Sequence, residues 1–160
     1  MPFSPLADEA PDDSADFIFI PGGYPELHLS ALASATYTLT GLRQAAARGT
    51  RIYGECGGYM FLGETITDKD GTPFPMTGLL RLETSFAARK LHLGYRQMRP
   101  LVPFWPGLQQ AVTGHEFHYT TAIRAEGDAL FAMRNAGGDD LGKAGLVSGG
   151  VAGSYAHIIA

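Results

Sequence analysis

The sequence predicts an α/β fold: a mixed, mostly parallel sheet with helices on both faces and antiparallel strands at its edge. Three observations carry that prediction. Asp16-Phe17-Ile18-Phe19-Ile20 and Arg51-Ile52-Tyr53-Gly54-Glu55 are short apolar runs joined by an amphipathic helical stretch, the order of a βαβ crossover. The second run passes through a glycine-flanked turn into another helical stretch, so a reactive side chain sits at the carboxyl end of a strand, where open α/β sheets carry their sites. From Glu64 onward the texture changes to short, partly alternating segments separated by turn residues, which read as antiparallel strands. The 21 glycines and 10 prolines punctuate many short elements and argue against a helix bundle.

In chain order, residues 1–15 are acidic and Pro-rich and read as a tail or linker, with the compact domain over 16–160. The run Asp16–Ile20 is apolar throughout, which predicts a strand buried on both faces, parallel and central. Pro21-Gly22-Gly23 is a turn, and Pro25-Glu26 suit a first helical turn. Leu39, Leu42, Ala45 and Ala46 form a helical stripe that ends before Gly49, a residue suited to the left-handed position past a helix end. Arg51–Glu55 is the second buried strand, and Gly57–Leu62 the helix after it. Strands are expected near residues 64–68, 79–86, 91–99, 115–124 and 129–134, with a last one beginning at Gly145. Residues 100–107 hold Pro100, Pro103 and Pro106 and read as loop, as does Asn135–Asp140. No internal repeat stands out.

Composition removes several function classes. A chain of 160 residues with 45% hydrophobic content suits one globular domain. A net charge of -4 leaves no basic footprint for nucleic acid. No apolar stretch reaches the roughly 18 residues of a membrane span, no basic run borders an apolar helix, and the acidic start is not a secretory signal. One cysteine forms no internal disulfide, so a reducing, cytoplasmic setting is expected. The five histidines and single cysteine lack metal-ligand spacing, and no metal is expected.

That cysteine is the centre of the functional reading. Gly54-Glu55-Cys56-Gly57-Gly58 has the form Gly-x-Cys-x-Gly, the thiol version of the nucleophile elbow. A nucleophile on a strained strand-to-helix turn projects outward, and flanking glycines let backbone and substrate approach. The helix behind it aims free N–H groups at the site, which lowers a thiol pKa and stabilises an oxyanion. The bland alternative is a buried, inert cysteine. A nucleophilic Cys56 needs a base, and spacing alone does not choose among His28, His92, His115, His118 and His157. The chain order of α/β-hydrolases, base after nucleophile, leans toward His157. Glu55, on a buried strand, needs a hydrogen-bond partner wherever it points; it fixes the elbow or touches substrate.

Five motifs occur in register: Pro21-Gly22-Gly23-Tyr24-Pro25-Glu26-Leu27-His28, Gly54-Glu55-Cys56-Gly57-Gly58-Tyr59-Met60, Leu93-Gly94-Tyr95-Arg96, Gly114-His115-Glu116-Phe117-His118-Tyr119 and Ser154-Tyr155-Ala156-His157. Together they resemble the C-terminal glutaminase domain of cobyrinic (or hydrogenobyrinic) acid a,c-diamide synthases, a class I glutamine amidotransferase domain of cobalamin biosynthesis. The resemblance runs from about Phe3 to the last residue. It implies that Cys56 attacks the side-chain amide of glutamine and that His157 moves the proton. It also implies that the N–H groups of Gly57 and Gly23 form the oxyanion hole, with Gly22 in the same turn. By their own pattern, Glu116 and His118 line the glutamine pocket or face a partner domain, or are one face of a strand whose Phe117 and Tyr119 pack in the core; Arg96 holds a carboxylate of substrate or partner domain, or is a surface strand charge. Ammonia would pass to an ATP- and Mg-dependent synthetase domain that amidates the a and c side chains of cobyrinate or hydrogenobyrinate.

Two departures from the pattern matter. Many class I amidotransferases carry a Glu two residues after the catalytic His; here that place is Ile159, and a backbone carbonyl or Glu116 is left to hold the imidazole. No Gly-x-x-x-x-Gly-Lys-[Ser/Thr] loop occurs, so no ATP site is expected in these residues, and the domain's own first strand and helix look missing, as in a fragment with an open sheet edge. The reading is a flavodoxin-like three-layer α/β sandwich acting as a glutaminase. Its rivals are a cobyric acid synthase-type amidotransferase, an unrelated Cys–His hydrolase, and a silent module that docks on a synthetase.

Overall fold

The structure is a computed structural model, and it describes residues 1–107 and 110–159. Its centre is a four-stranded sheet. Strand β1 (Phe17–Ile20) pairs in parallel with β2 (Arg51–Glu55), which pairs in parallel with β12 (Val151–Ser154). The edge strand β11 (Leu146–Ser148) runs antiparallel to β12. Two helices, α1 (Leu29–Ser34) and α2 (Thr36–Ala47), cross from β1 to β2, and α3 (Gly57–Leu62) leaves the end of β2. The predicted α/β order with parallel strands and an antiparallel edge is therefore present. Gly49 is left-handed (φ 85°) just past α2, as its position suggests.

Side chains alternate across the central sheet and build two cores. On one face Ile18, Ile20, Ile52 and Val151 meet Leu39, Leu42 and Ala45 of α2 and Phe61 and Leu62 of α3. Ile52, Leu42 and Leu62 are fully buried, each contributing roughly 1.5–3 kcal/mol relative to exposure. On the other face Tyr53 and Ala152 meet Met98, Phe104, Leu130 and Phe131. That second layer is strands, not the expected helices. It is a five-stranded antiparallel sheet in the order β10 (Asp140–Ala144), β9 (Phe131–Asn135), β6 (His92–Pro100), β7 (Val112–His118), β13 (His157–Ile158). A further sheet, β4 (Pro73–Pro75), β3 (Thr65–Thr67), β5 (Arg81–Ser85), β8 (Thr121–Glu126), is cross-linked by Arg124, which binds Glu83 at 2.6 Å and also pairs with Glu64.

Several expectations shift. Strand β1 is not central: it is an edge strand, and Phe17 and Phe19 are each 46% exposed. Its run is apolar on both faces because Phe19 stacks on Tyr53 across the sheet, not because a second neighbour covers it. The expected strand over 115–124 is two strands broken at Tyr119-Thr120, which send β7 and β8 into different sheets. The last strand is a hairpin, β11–β12, turned by Gly149-Gly150. Residues 1–15, expected as a tail, lie against α2: Asp8 Oδ1 accepts the Thr38 N–H at 3.0 Å, satisfying one donor of the helix's first turn, and Pro11 is buried beside Gly41. Among the described residues, no helix is long and apolar enough to cross a membrane.

Candidate active site

Cys56 sits where β2 turns into α3, with φ 48° and ψ -106°. A non-glycine residue at positive φ is strained, and here the strain belongs to the sharp strand-to-helix bend foreseen from the motif. Two contacts hold the bend. The Cys56 N–H donates to Ser154 O at 2.8 Å, continuing the β2–β12 pairing one step beyond the strand. Gly58 packs its Cα against the Ile20 carbonyl of β1 so closely that no side chain fits. Gly58→Ala is expected to destabilise the fold by about 3 kcal/mol, read as a lower denaturant midpoint, because backbone and not a flexible side chain must move. A Cβ on Gly57 would lie 2.9 Å from Gly23 O and 3.0 Å from Gly23 N, so the Pro21-Gly22-Gly23 turn faces the first residue of α3.

His157 reaches the same corner through the neighbouring strand. Ser154 of β12 pairs with Glu55 of β2, and Tyr155-Ala156 then carries the chain into β13. The imidazole rests over Gly22, which has no side chain to block it. His157 Nδ1 lies 3.6 Å from Glu55 Oε2, while Glu55 Oε1 accepts the Ile158 N–H at 3.0 Å. His115 stacks on the other side of the ring at 4.8 Å. Ile159 is solvent-facing, its N–H donated to Thr113 O. Glu116 holds Arg96 at 2.6 Å on the opposite face of β7, so this pair, and not the imidazole, takes up its carboxylate.

A small cavity lies against the sulfur, walled by Gly23, Cys56, Met60, Phe117, His118 and Tyr119. Its free volume is about 30 Å³, room for a water or two but not for a glutamine side chain. The Cys56 thiol points at Phe117 O, 3.7 Å away. Phe86 also lines this cavity. His118 is buried beside the cavity, with Nδ1 3.1 Å from Thr120 O and its ring stacked between Tyr155 and His92.

Burial dominates the electrostatics. It pushes the Cys56 thiol up to about 11, assisted by the negative charges of Glu26, Glu55 and Glu116 and opposed by the Gly57 N–H. The expected lowering by the helix is thus outweighed, and the resting group is the thiol. Burial and then the neighbouring His115 hold His157 below the ordinary imidazole value. Burial, with His92 next, pushes His118 down to about 4. Glu55 is raised by burial, partly offset by its bond from Ile158 N–H and by His115. Among the described residues, no group of three His, Cys, Asp or Glu is arranged to hold a metal.

Residues 1–160 match the family described as the CobB/CobQ-like glutamine amidotransferase domain. The chain belongs to this family. It is accordingly a glutamine amidotransferase domain. The hydrogenobyrinate a,c-diamide synthase of Brucella anthropi is 55% identical over 159 residues, covering 98% of this chain and 36% of the relative. That of Rhodobacter capsulatus is 47% identical over 161 residues, covering 100% and 37%. The chain thus spans little more than a third of the length of these curated relatives. Among solved structures, PurLQS from Thermotoga maritima superposes with a TM-score of 0.57 at 19% identity, over 94% of this chain and 71% of that one. A glutamine amidotransferase from the same organism gives 0.59 at 14% identity, over 93% and 58%. These structures share the fold.

Proximity of Glu55 to His157 is what sequence reasoning missed. The signal was present: Glu55 is a lone acid on a buried strand, one residue before the thiol. Its partner was hidden because that partner arrives 102 positions later, on a strand whose pairing with β2 the sequence does not announce.

Proposed function

We propose that this amidotransferase domain hydrolyses glutamine with Cys56 as nucleophile and His157 as base. The ammonia would serve an ATP- and Mg-dependent synthetase that amidates the a and c side chains of cobyrinate or hydrogenobyrinate in cobalamin biosynthesis, in a reducing cytoplasm. One observation carries the site: a strained Cys56 at the end of a parallel strand, with an imidazole delivered to the same corner by the adjacent strand. The names of relatives about half identical in sequence support the pathway.

The chemistry runs as follows. With Nδ1 turned to Glu55, the His157 Nε2 lone pair takes the Cys56 proton. The thiolate attacks the amide carbon, and the N–H groups of Gly57 and Gly23 receive the developing oxyanion. Imidazolium returns the proton to the departing nitrogen as the C–N bond breaks, leaving ammonia and a thioester. Water, deprotonated by the same ring, then adds to the thioester, and glutamate leaves as the thiol is restored. Gly22 gives the ring its space, and His118 forms a wall of the cavity beside the sulfur, while Glu116, proposed with it for substrate binding, is paired with Arg96 and does not line that cavity. His118 is the second candidate base, because it lines the cavity with Cys56. Its protonation is the costlier of the two, since burial and the neighbouring His92 push it down to about 4, opposed only in part by the contact of its Nδ1 with Thr120 O.

A diazoketone analogue of glutamine tests the reading. It is expected to alkylate Cys56 stoichiometrically at neutral pH, located by peptide mass. Labelling no faster than that of a free thiol at the same pH overturns the glutaminase and leaves a module that docks on a synthetase.

A further inference from the structure

We infer that Glu55, the residue immediately before the nucleophile, is the carboxylate that positions His157. The inference rests on the reading of His157 as the base. It assigns to β2 the part that a residue two places after the histidine plays in many class I amidotransferases, and that Ile159 cannot play.

The placement follows from the sheet. Glu55 ends β2, and its register partner Ser154 ends β12. The chain beyond Ser154 folds back over the end of β2, bringing both His157 and Ile158 onto the Glu55 carboxylate. The two oxygens divide the task. Oε1 anchors the backbone beside the histidine by accepting the Ile158 N–H at 3.0 Å. Oε2 faces Nδ1 of the ring at 3.6 Å. That gap is a few tenths of an ångström beyond a hydrogen bond, and it closes when the ring gains a proton and a full positive charge. A carboxylate at Nδ1 selects the tautomer that leaves Nε2 free to accept, and it stabilises the imidazolium that forms.

The surroundings fit. The Glu55 side chain is 10% exposed and that of His157 26%, so the pair is largely screened from water. The titratable groups facing the ring are Glu55 from β2 and His115 from β7, with His118 farther off on β7. His115 stacks face to face and offers no acceptor in the ring plane. Glu116 is taken by Arg96. A buried acid held only for stability would be replaceable by its amide, because Gln keeps an oxygen for the Ile158 N–H; a positioning carboxylate would not.

Glu55→Gln in the full-length polypeptide decides the matter. Diazoketone labelling of Cys56 and glutamine turnover are expected to fall about 10²-fold, within the ~10⁴-fold loss known for a fully hydrogen-bonded triad acid, with KM little changed. Removing the negative charge makes the imidazolium harder to form, so the acid limb of the labelling rate should move to lower pH. The thermal midpoint should hold or rise, since a buried charge is removed. Glu55→Asp, which keeps the charge, should recover part of the rate and shift the limb less; it also serves if the amide variant folds poorly. Unchanged rate and limb in Glu55→Gln, with labelling lost in His157→Ala, overturns the role of Glu55 alone. Unchanged labelling in both variants overturns the base assignment and this inference with it.

Discussion

Cys56→Ser is expected to lower glutamine-dependent amidation by about 10⁴-fold or more while ammonia-dependent amidation in the full-length enzyme is retained. Magnitudes of this size are typical when the nucleophile of a linked catalytic group is removed. The substitution is a sharp test because it changes little else. Serine is slightly smaller than cysteine, Cys56 makes its fold-determining contacts through its N–H and its backbone angles, and neither depends on sulfur. What changes is acidity and nucleophilicity. Burial and three carboxylates already push the thiol up to about 11, and a hydroxyl in the same place is far harder to ionise. Ammonia supplied from solution bypasses the thioester and needs no Cys56. Assaying both nitrogen sources on one preparation reads the result. Equal loss of the two activities would contradict a role confined to ammonia supply.

The legible part of this molecule was local. The elbow could be read because strand, cysteine and glycines are consecutive, and the bend they demand is a property of five residues. Gly49 could be read because a helix end needs a left-handed residue at that point. What could not be read depends on partners far along the chain. An apolar run such as Phe17–Ile20 looks the same whether its second face meets a helix, a strand or an aromatic ring; Tyr53 supplied the ring, and β1 lies at an edge. The break at Tyr119-Thr120 carries no glycine or proline, because buried Thr120 and His118 hold the corner with a side chain against a backbone oxygen. Residues 1–15 read as a tail by composition, yet single groups fix them: an Asp8 carboxylate on a helix N–H and a proline against Gly41. The site divides along the same line. Cys56 was set by its neighbours in sequence, whereas the contact of His157 with Glu55 exists only because β12 lies beside β2.

His157→Ala is expected to slow labelling of Cys56 by the diazoketone about 10³-fold at pH 7, within the 10²–10⁴-fold range of general base catalysis. The physical reason is thiolate scarcity. With the thiol pushed up to about 11, only on the order of one molecule in 10⁴ carries a thiolate at pH 7. The imidazole removes that limit, and being held below the ordinary value by burial and by His115 it is neutral and able to accept at pH 7. The two enzymes should therefore differ in shape as well as in height. The native rate should fall only below pH 6.5 and stay level above it, because the base titrates lower than a free imidazole. Without the ring the rate should follow the thiolate, rising about tenfold per pH unit from pH 6 toward pH 9, as expected of a group whose folded value lies above that window. Measuring both profiles across pH 6–9 separates the cases. A flat profile retained in His157→Ala would mean another base serves Cys56. His118→Ala would then be the variant to lose it, since His118 is the imidazole that shares the cavity with the sulfur.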